Sequence, residues 1–247
     1  MWRASVGRLE REDLYAMLYE CVTRSPGFVA LKLKVLEAAR SNPRLTVGDV
    51  AALFNLTQGQ ALIALRSVKL WFDEVEEEVR LSRRIAPLYR KGAIGGTFDR
   101  FHMGHLALLN AAFRSAEKVF IGLTTDGFVA SRGKKGIAPF EERRERLEGV
   151  LRRWGWWERA EIGALDEELG PPAEDPSFDV IIGSPFTLEN CLRVNSSRIE
   201  KGLPPIAVEL SPIVLAEDGL PISSTRVRSG EVDESGRLTR SRGPAAR

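Results

Sequence analysis

Cysteine and histidine are the scarcest reactive side chains in this chain of 247 residues, with two of each. Cys21 and Cys191 are far apart and form no spacing motif, so the sequence predicts neither a disulfide framework nor a cysteine-rich zinc site. Long apolar runs are also missing, since none approaches the roughly 20 residues of a membrane span. The N-terminus has no apolar signal segment either. We therefore expect a protein of the reducing cytoplasm.

Neither sign of charge dominates the composition. The formal net charge is +2 at pH 7, which argues against a dedicated nucleic-acid packing protein. Apolar residues make up 43% and charged residues 28% of the chain. These fractions are typical of a globular protein with a real core and exclude a mostly disordered chain. The length allows one large domain or two of ordinary size.

The first third of the chain has a helical pattern. Apolar residues recur at helical spacing in four segments: 12–24, 28–41, 46–54 and 58–71. Thr46, with Asp49 in the following turn, predicts a helix start, and Thr57 opens the next helix. Apolar residues alternate with acids over 71–81, which predicts a hairpin. This order of elements is typical of a winged helix-turn-helix domain.

After about residue 90, strand patterns alternate with helix patterns. The predicted strands are 91–95, 117–124, 158–164, 178–183 and 205–215, and the predicted helices are 104–115, 140–153, 187–201 and 224–230. This alternation implies an α/β fold with a parallel sheet that helices cover on both faces. We predict a small winged-helix-like accessory domain at 1–88, a Rossmann-like parallel-sheet domain at 89–236 and a basic flexible tail at 237–247.

Both histidines lie in one glycine-rich segment, GGTFDRFHMGH, at 95–105. Gly95 and Gly96 let the backbone approach a ligand closely, and the helix that begins near Gly104 points its free N–H groups at the same position. His102 and His105 can donate hydrogen bonds to phosphate oxygens without a permanent charge. A zinc site needs a third and a fourth ligand, which no cysteine or further histidine supplies. The segment therefore favours phosphate binding over metal binding.

A second segment, PISSTRVRSG at 221–230, has the composition of an anion site. Ser223, Ser224 and Thr225 stand where a helix is expected to begin, and Arg226 and Arg228 can add charge-assisted hydrogen bonds to phosphates. The alternative for this segment alone is an N-capped surface helix. Because the histidine segment lies in the same predicted domain, a pair of phosphate sites is the better explanation.

The motifs GGTFDRFHMGH and ISSTRVR resemble those of the HxGH nucleotidyltransferases, and most closely those of the archaeal-type phosphopantetheine adenylyltransferases. The resemblance covers residues 90–236 and extends to GLTTD at 122–126, PFEERR at 139–144 and LAEDG at 215–219. It implies transfer of AMP from ATP to 4'-phosphopantetheine, which gives dephospho-coenzyme A and pyrophosphate in coenzyme A biosynthesis. It also implies Mg²⁺ held through the phosphates, with no metal ligand from the protein.

The resemblance assigns roles to residues of both motifs. Thr97 and His105 are assigned to the α-phosphate and His102 to the β- and γ-phosphates, and Lys134 and Arg228 complete the catalytic set. The other residues assigned to ATP are Gly95, Gly96, Phe98, Gly104, Ile222, Ser223, Ser224 and Thr225. Those assigned to the second substrate are Thr124, Asp126 and Lys135. Further candidates for substrate contacts follow on one predicted helix, the alternative for three of the four being an ordinary polar helix face: Asn190, Arg193, Asn195 and Arg198. Either Lys134 or Lys135 is expected to reach the phosphates, the alternative for both lysines being a solvated turn.

The sequence departs from the family pattern in two places. At 183–187 it has GSPFT in place of a Ser-Glu-Glu-Thr-like stretch, and this leaves the exact acceptor open. The whole N-terminal part is also additional. Its recognition-helix candidates are Thr57, Gln58, Gln60, Arg66 and Lys69. Five acids between 73 and 78 make the following segment a poor clamp for nucleic acid.

Three interpretations therefore stay open. The first is a phosphopantetheine adenylyltransferase with an accessory domain for self-association or docking to a protein partner. The second is a related adenylyl- or cytidylyltransferase with a different phosphorylated acceptor. The third is a regulator that binds DNA through residues 46–81 and senses a nucleotide or coenzyme A with its C-terminal domain.

Overall fold

The computed structural model describes residues 10–25 and 27–239. The N-terminal part is mainly helical, with α1 (Arg11–Thr23), α2 (Phe28–Ser41), α3 (Val47–Phe54), α4 (Gln58–Arg66), strand β1 (Lys69–Trp71) and α5 (Val75–Leu81). The two helix starts predicted from threonine are confirmed. Thr46 and Thr57 each cap a helix, because their hydroxyls accept from the backbone N–H groups of Asp49 and Gln60.

The hairpin predicted for residues 71–81 is wrong, because Val75–Leu81 forms helix α5. Val75 and Val79 stand four residues apart, which puts them on one face of a helix, and both are fully buried in the main core. The acids at 76–78 occupy the first turn, where the helix dipole favours negative charge. The helix-turn-helix pair α3–α4 is therefore followed by another helix and not by a wing.

The rest of the chain alternates strand and helix as predicted. The elements are β2 (Tyr89–Gly96), α6 (Met103–Ser115), β3 (Ala116–Thr124), α7 (Asp126–Ser131), α8 (Phe140–Trp154), β4 (Ala160–Leu165), β5 (Val180–Gly183), α9 (Leu188–Glu200), β6 (Ala207–Leu210), β7 (Ile213–Leu215) and α10 (Ser224–Arg228). Five strands form one parallel sheet in the order β4-β3-β2-β5-β6. This is an α/β fold of the Rossmann-like kind. The short helix α7 is not foreseen from the sequence.

The single strand predicted at 205–215 is in fact two strands. Pro212 has no N–H to donate to a ladder, and the chain leaves the main sheet at Ser211-Pro212. β6 completes the five-stranded sheet, whereas β7 pairs in parallel with β1 of the N-terminal part. Lys69–Trp71, predicted as the end of a helix, is this partner strand.

The N-terminal part packs directly on the sheet domain. Leu70, Val75 and Val79 share one core with α6 and strands β2 and β3. The buried carboxylate of Glu78 accepts hydrogen bonds from Tyr15 of α1, Arg66 of α4 and Arg114 of α6. The boundary at 88–89 thus stays a prediction, and the main core extends across it.

The predicted tail divides into a described and an undescribed part. Residues 237–239 hydrogen-bond back to the domain, since the N–H of Leu238 donates to Glu217 and the N–H of Asp233 donates to the carbonyl of Arg237. The flexible tail at 237–247 stays a prediction, of which 240–247 lie outside the described residues. Across the described ranges, the helices are too short or too polar for any of them to cross a bilayer.

Candidate active site

A cleft of about 830 Å³ opens at the carboxyl ends of β2, β3 and β5. The strand order places β2 at the centre, with the chain winding outward to β3 and then returning to β5 on the other side. Ligands of open parallel sheets bind at this kind of switch point, outside the carboxyl ends of the strands. The predicted segments 95–105 and 222–225 both line this cleft.

The loop after β2 has unusual backbone angles. Phe98 and Arg100 both have positive φ, at 48° and 46°, although neither is glycine. Such angles are uncommon for bulky side chains and concentrate where a ligand is held. Gly96 makes room for the ring of Phe98, because a Cβ at Gly96 would stand 3.0 Å from it. A Cβ at Gly104 would stand 2.9 Å from the imidazole of His102. Both glycines are thus required by the shape of the loop.

The two histidines stack at the start of α6, with ring centroids 4.0 Å apart. Nδ1 of His102 accepts from the N–H of Gly104 at 3.0 Å, and Nδ1 of His105 accepts from the N–H of His102 at 3.3 Å. Because both Nδ1 atoms act as acceptors, each neutral ring carries its proton on Nε2. Capping the helix therefore fixes the tautomer and leaves one N–H donor on each ring.

Both histidines are neutral at physiological pH. Burial lowers the pKa of His102 to about 4. Burial, and then the neighbouring His102, lower the pKa of His105 well below its ordinary value. The cleft thus offers two uncharged donors to a phosphate oxygen. Neither imidazole gains or loses a proton between pH 6.5 and 8.

The lowered pKa of His102 predicts a pH-dependent stability. As the pH falls below 6.5, the unfolded chain takes up a proton at His102, whereas the native protein does so only near pH 4. The unfolded state binds more protons in this window, so the free energy of unfolding should fall by up to about 3 kcal/mol between pH 6.5 and 4. Urea unfolding at several pH values measures it. His102→Asn keeps a helix-capping side chain and should show a shallower fall; equal pH dependence in both proteins would contradict the assignment.

Asp99 joins three loops around the cleft. Its carboxylate accepts from Nη2 of Arg228 at 2.6 Å and from the N–H of Ala138 at 3.1 Å, and its backbone carbonyl accepts from the hydroxyl of Ser224 at 2.7 Å. Burial raises the pKa of Asp99, but the hydrogen bonds from Arg228 and Ala138 outweigh this and hold the pKa below its ordinary value. The sequence has no local signal for the role of Asp99, because its partners Ala138 and Arg228 stand 39 and 129 positions away.

Arg228 lines the cleft with part of its guanidinium unused. One nitrogen is held by Asp99, and the buried Nε has no acceptor within the described part of the chain. A buried donor without a partner is costly unless a ligand supplies the acceptor. Arg226 is different, because it pairs with Asp218 and Glu231 away from the cleft. The charge of Arg226 is thus paired within the protein, and its phosphate contact stays a prediction.

The other residues of the second motif surround the start of α10. Ile222, Ser223, Ser224 and Thr225 all line the cleft. The hydroxyl of Ser223 caps the helix by accepting from the N–H of Arg226 at 3.3 Å, and that of Ser224 donates to Asp99. Two of the three predicted hydroxyls thus shape the loop, while the hydroxyl of Thr225 has no such bond among the described contacts.

Arg143 of α8 is a second residue that sequence analysis missed. Its side chain is fully buried, at 0% exposure. The guanidinium donates to the carbonyls of Thr97, Thr124 and Ala138 at 2.8–2.9 Å and to the carboxylate of Asp126 at 2.8 Å. One side chain thus fixes the loops after β2 and β3 and the end of the lysine-bearing loop.

Lys134 and Lys135 stand on an exposed loop that borders the cleft. Gly133 and Gly136 flank them, each with φ of +68°, which a residue with a side chain rarely adopts. The loop is anchored at its end by the bond from Ala138 to Asp99. Both ammonium groups can therefore reach a ligand in the cleft while the ends of the loop stay fixed.

Three predicted substrate residues do not line the cleft. Asn195 exchanges hydrogen bonds with the backbone of Ile206, and fully buried Arg198 donates to the carbonyls of Pro172, Asp175 and Pro204. Asp126 caps α8 through the N–H of Phe140 and pairs with Arg143. These side chains hold neighbouring loops, and their assignment to the second substrate stays a prediction. Thr124, in contrast, does line the cleft, with its hydroxyl 3.3 Å from that of Thr97.

The departing segment 183–187 forms the opposite rim. The N–H of Ser184 donates to the hydroxyl of Thr187 at 2.9 Å, and Phe186 is 68% exposed at the cleft. Cys191 lies beneath this segment, and burial raises the pKa of its thiol to about 11. The thiol is therefore protonated at neutral pH and is not a nucleophile.

The described residues form no cluster of side chains that could bind a metal ion. Within residues 10–25 and 27–239, no group of three or more His, Cys, Asp or Glu side chains could hold one. Asp99, a carboxylate that lines the cleft, already binds Arg228 and Ala138. The donors around it are imidazole, hydroxyl, guanidinium and ammonium groups, which suit an anionic ligand.

Comparison of the chain with known proteins shows the family to which it belongs. A model of the cytidylyltransferase-like family matches residues 93–230. A phosphopantetheine adenylyltransferase of Methanopyrus kandleri is 44% identical over 146 residues, which are 59% of this chain and 92% of that protein. Its counterpart from Methanothermobacter thermautotrophicus is 40% identical over 150 residues, or 61% of this chain and 90% of the relative. A crystal structure of a protein of unknown function from Archaeoglobus fulgidus has a TM-score of 0.45 and 27% identity, and covers 49% of this chain and 87% of that one.

Proposed function

Because this chain belongs to the cytidylyltransferase-like family, with more than half of its length matched, we propose that it is a phosphopantetheine adenylyltransferase. It transfers AMP from ATP to 4'-phosphopantetheine and releases pyrophosphate and dephospho-coenzyme A. The observation that carries the proposal is the cleft, in which the HxGH loop, the ISST loop and two lysines face one space. The relatives of that name match the same part of the chain.

The reaction needs no general base, since the acceptor phosphate is already an anion. One of its oxygens attacks the α-phosphorus of ATP, a new P–O bond forms, and the bond from the α-phosphorus to the bridging oxygen of pyrophosphate breaks. The protein has to align the two substrates and stabilise the charge on the transferring group. Donors that are fixed before the substrate arrives suit this task.

The described geometry supports a role for each donor. We assign Nε2 of His105 and the hydroxyl of Thr97 to the α-phosphate, and Nε2 of His102 to the β- and γ-phosphates. The guanidinium of Arg228 and the hydroxyl of Thr225 bind the departing pyrophosphate. The backbone of the 95–98 segment, held by Arg143, forms the floor of the nucleotide site.

Mg²⁺ is proposed as the partner of ATP, bound through the phosphates. The fit is argued from the side chains that line the cleft. These include cations and neutral donors, and the two lining carboxylates, Asp99 and Glu168, are paired with arginines. When bound, the ion neutralises part of the triphosphate charge. The chain's own residues orient the phosphates around it.

The loop lysines give a prediction about charge. An ammonium group that binds a phosphate contributes about 1.5–3 kcal/mol, which corresponds to about a 10- to 100-fold change in kcat/KM. We therefore expect Lys134→Met, Lys135→Met or both to lower kcat/KM by about that factor. Lys201→Met is the matched control, because Lys201 pairs with Glu174 outside the cleft and should leave the activity unchanged. Steady-state kinetics measure the effect, and wild-type values for both loop variants would mean that the lysines form a solvated turn.

Four of the five residues predicted to contact DNA hold other contacts, Gln58 being exposed, and this favours the enzyme over the regulator interpretation. Arg66 pairs with buried Glu78, and the ammonium of Lys69 donates to the carbonyls of Pro43 and Leu45. Thr57 and Gln60 are engaged in a helix cap. Most of α4 is packed in the N-terminal core. We propose that the N-terminal part stabilises the sheet domain and docks a partner or a second copy in the cytoplasm.

A panel of acceptors tests the proposed activity. Purified protein is mixed with ATP and Mg²⁺ and offered 4'-phosphopantetheine, nicotinamide mononucleotide or flavin mononucleotide, or glycerol phosphate with CTP. Pyrophosphate release is expected with 4'-phosphopantetheine alone. Release with another acceptor would keep the mechanism and change the substrate, which is the alternative that 183–187 leaves open. No release with any acceptor would contradict the enzyme assignment.

A further inference from the structure

A second cavity of about 330 Å³ lies between the N-terminal helices and the β6 edge of the main sheet. Tyr19 of α1 and Leu36 of α2 line one side, and Tyr89 and Val208 line the other. Its volume is at the lower end of the range for small-molecule sites. It borders the active-site cleft at Ser211 and is otherwise built from different residues.

Lys32 brings an unbalanced positive charge into this cavity. Its Nζ donates to the carbonyl of Leu210 at 2.8 Å, and no carboxylate of the described chain lies within 4.0 Å of it. Burial, and then the positive charge of Arg114, lower the pKa of Lys32 to about 8. The negative charge of Glu209 acts in the opposite direction. A partly buried ammonium without a counter-ion is destabilised, and an anion at this position would stabilise it.

Arg114 adds a second cation with a free donor. Its Nη1 is 3.3 Å from a carboxylate oxygen of Glu78, and its guanidinium lies over the ring of Tyr19. Its buried Nε has no acceptor in the part of the chain that is described. Glu209 also lines the cavity, but its carboxylate already accepts from the hydroxyl of Ser115 at 2.5 Å. Glu78 balances the charge of Arg114, so the ammonium of Lys32 is the cation of this cavity wall that has no carboxylate partner among the described residues.

The remaining wall is largely apolar. Its apolar side chains are Phe28, Val29, Leu33, Leu36, Val68, Ile85, Leu88, Val208 and Leu210. The wall has two other charged side chains, Glu20 and Arg24, which form an ion pair with each other at the C-terminal end of α1. Such a wall disfavours a ligand with several charges, because most of those charges would be buried without partners. It suits an apolar body with one charged end.

We propose that this cavity binds a small amphipathic carboxylate. The carboxylate head pairs with the ammonium of Lys32, near the guanidinium of Arg114, and the apolar body packs between α2 and β6. A ligand held in this way contacts the N-terminal helices and the sheet domain together. The site does not depend on the activity proposed for the cleft.

Isothermal titration calorimetry of the full chain with sodium octanoate tests this site. We expect saturable binding of one octanoate per chain, also in the presence of saturating Mg-ATP, which occupies the cleft. Octanol and octylamine should bind at least about tenfold more weakly, because a charge-assisted bond contributes about 1.5–3 kcal/mol. Lys32→Met should weaken octanoate by the same factor. Lys34→Met, on the exposed side of α2, should not.

Each result bears on the proposal without reference to turnover. If octanol bound as tightly as octanoate, the carboxylate would contribute nothing to binding, and the proposal of a carboxylate site would be overturned. Loss of octanoate binding on addition of Mg-ATP would place the ligand in the cleft and overturn it as well. Absence of saturable binding has the same consequence. The ligand series on the wild-type protein keeps the test valid even if Lys32→Met proves unstable in urea unfolding.

Discussion

Replacement of His105 by alanine should lower kcat by about 10²- to 10³-fold, the usual effect of removing one fixed donor to a developing charge. Nε2 of His105 carries the proton because Nδ1 accepts from His102, so the lost group is a donor aimed into the cleft. The affinity for ATP should change much less. Pyrophosphate release under saturating substrates gives kcat, and equilibrium titration gives the affinity.

Two further substitutions separate catalysis from folding. In His105→Asn, the side-chain oxygen can still accept from the N–H of His102, so the helix cap is kept while the donor at the Nε2 position is lost. We expect near-normal stability with the full loss of kcat. In His105→Gln, an amide N–H can occupy the Nε2 position and should restore part of the rate. If His105→Asn kept a rate within threefold of wild type, the assignment of His105 would be wrong.

Replacement of Arg143 by methionine should give the largest loss of stability. It leaves three carbonyl groups of the loops around the cleft without their donor, and each such group costs about 1–3 kcal/mol. We expect the free energy of unfolding to fall by at least about 3 kcal/mol. Activity should fall as well, since the loops of Thr97 and Ala138 lose their common anchor. Urea unfolding followed by kinetics at low temperature measures both.

The neighbouring arginine is a matched control for this experiment. Arg144 lies on the outer face of α8 and pairs with Glu148 at the surface. Because surface pairs contribute little, Arg144→Met should change the free energy of unfolding by less than about 1 kcal/mol. Equal losses in the two variants would show that the effect comes from helix α8 in general and not from the clamp.

The sheet domain could be predicted well because its signals are local. Each strand of the main sheet is a short apolar segment that turn residues delimit, and the phosphate motifs follow directly after a strand or before a helix. The two histidines were predictable for the same reason, since their spacing and the glycine between them act within one helical turn. The structure brings these local motifs into one cleft.

The sequence is least informative where a residue acts over a long sequence distance. Arg143 looks like one more charge on a highly charged helix, and only the fold brings the carbonyl of Thr97 to it. Asp99 meets Arg228 across 129 positions of sequence. Arg198 was assigned to a substrate because an arginine on a polar helix face has no visible partner in the sequence. Its three carbonyl acceptors come from loops that the sequence does not place.

The segment 71–81 shows a different difficulty. Val75, Val79 and Leu81 fit an alternating strand and also a helical face, and seven residues are too few to separate the two periods. Tertiary packing favours the helix over the strand, since Val75 and Val79 are buried in a core that includes α6. Tertiary contact thus overrode the pattern on which the winged-helix interpretation depended.

The fate of isotopically labelled phosphate tests the central claim most directly. Purified protein is incubated with Mg²⁺, 4'-phosphopantetheine and ATP labelled either at the α- or at the γ-phosphorus, and the products are separated. The account predicts that the α-label appears in dephospho-coenzyme A and the γ-label in pyrophosphate, with neither transfer in the absence of acceptor. Label from the α-position in free AMP, or from the γ-position in the acceptor, would contradict adenylyl transfer in this cleft.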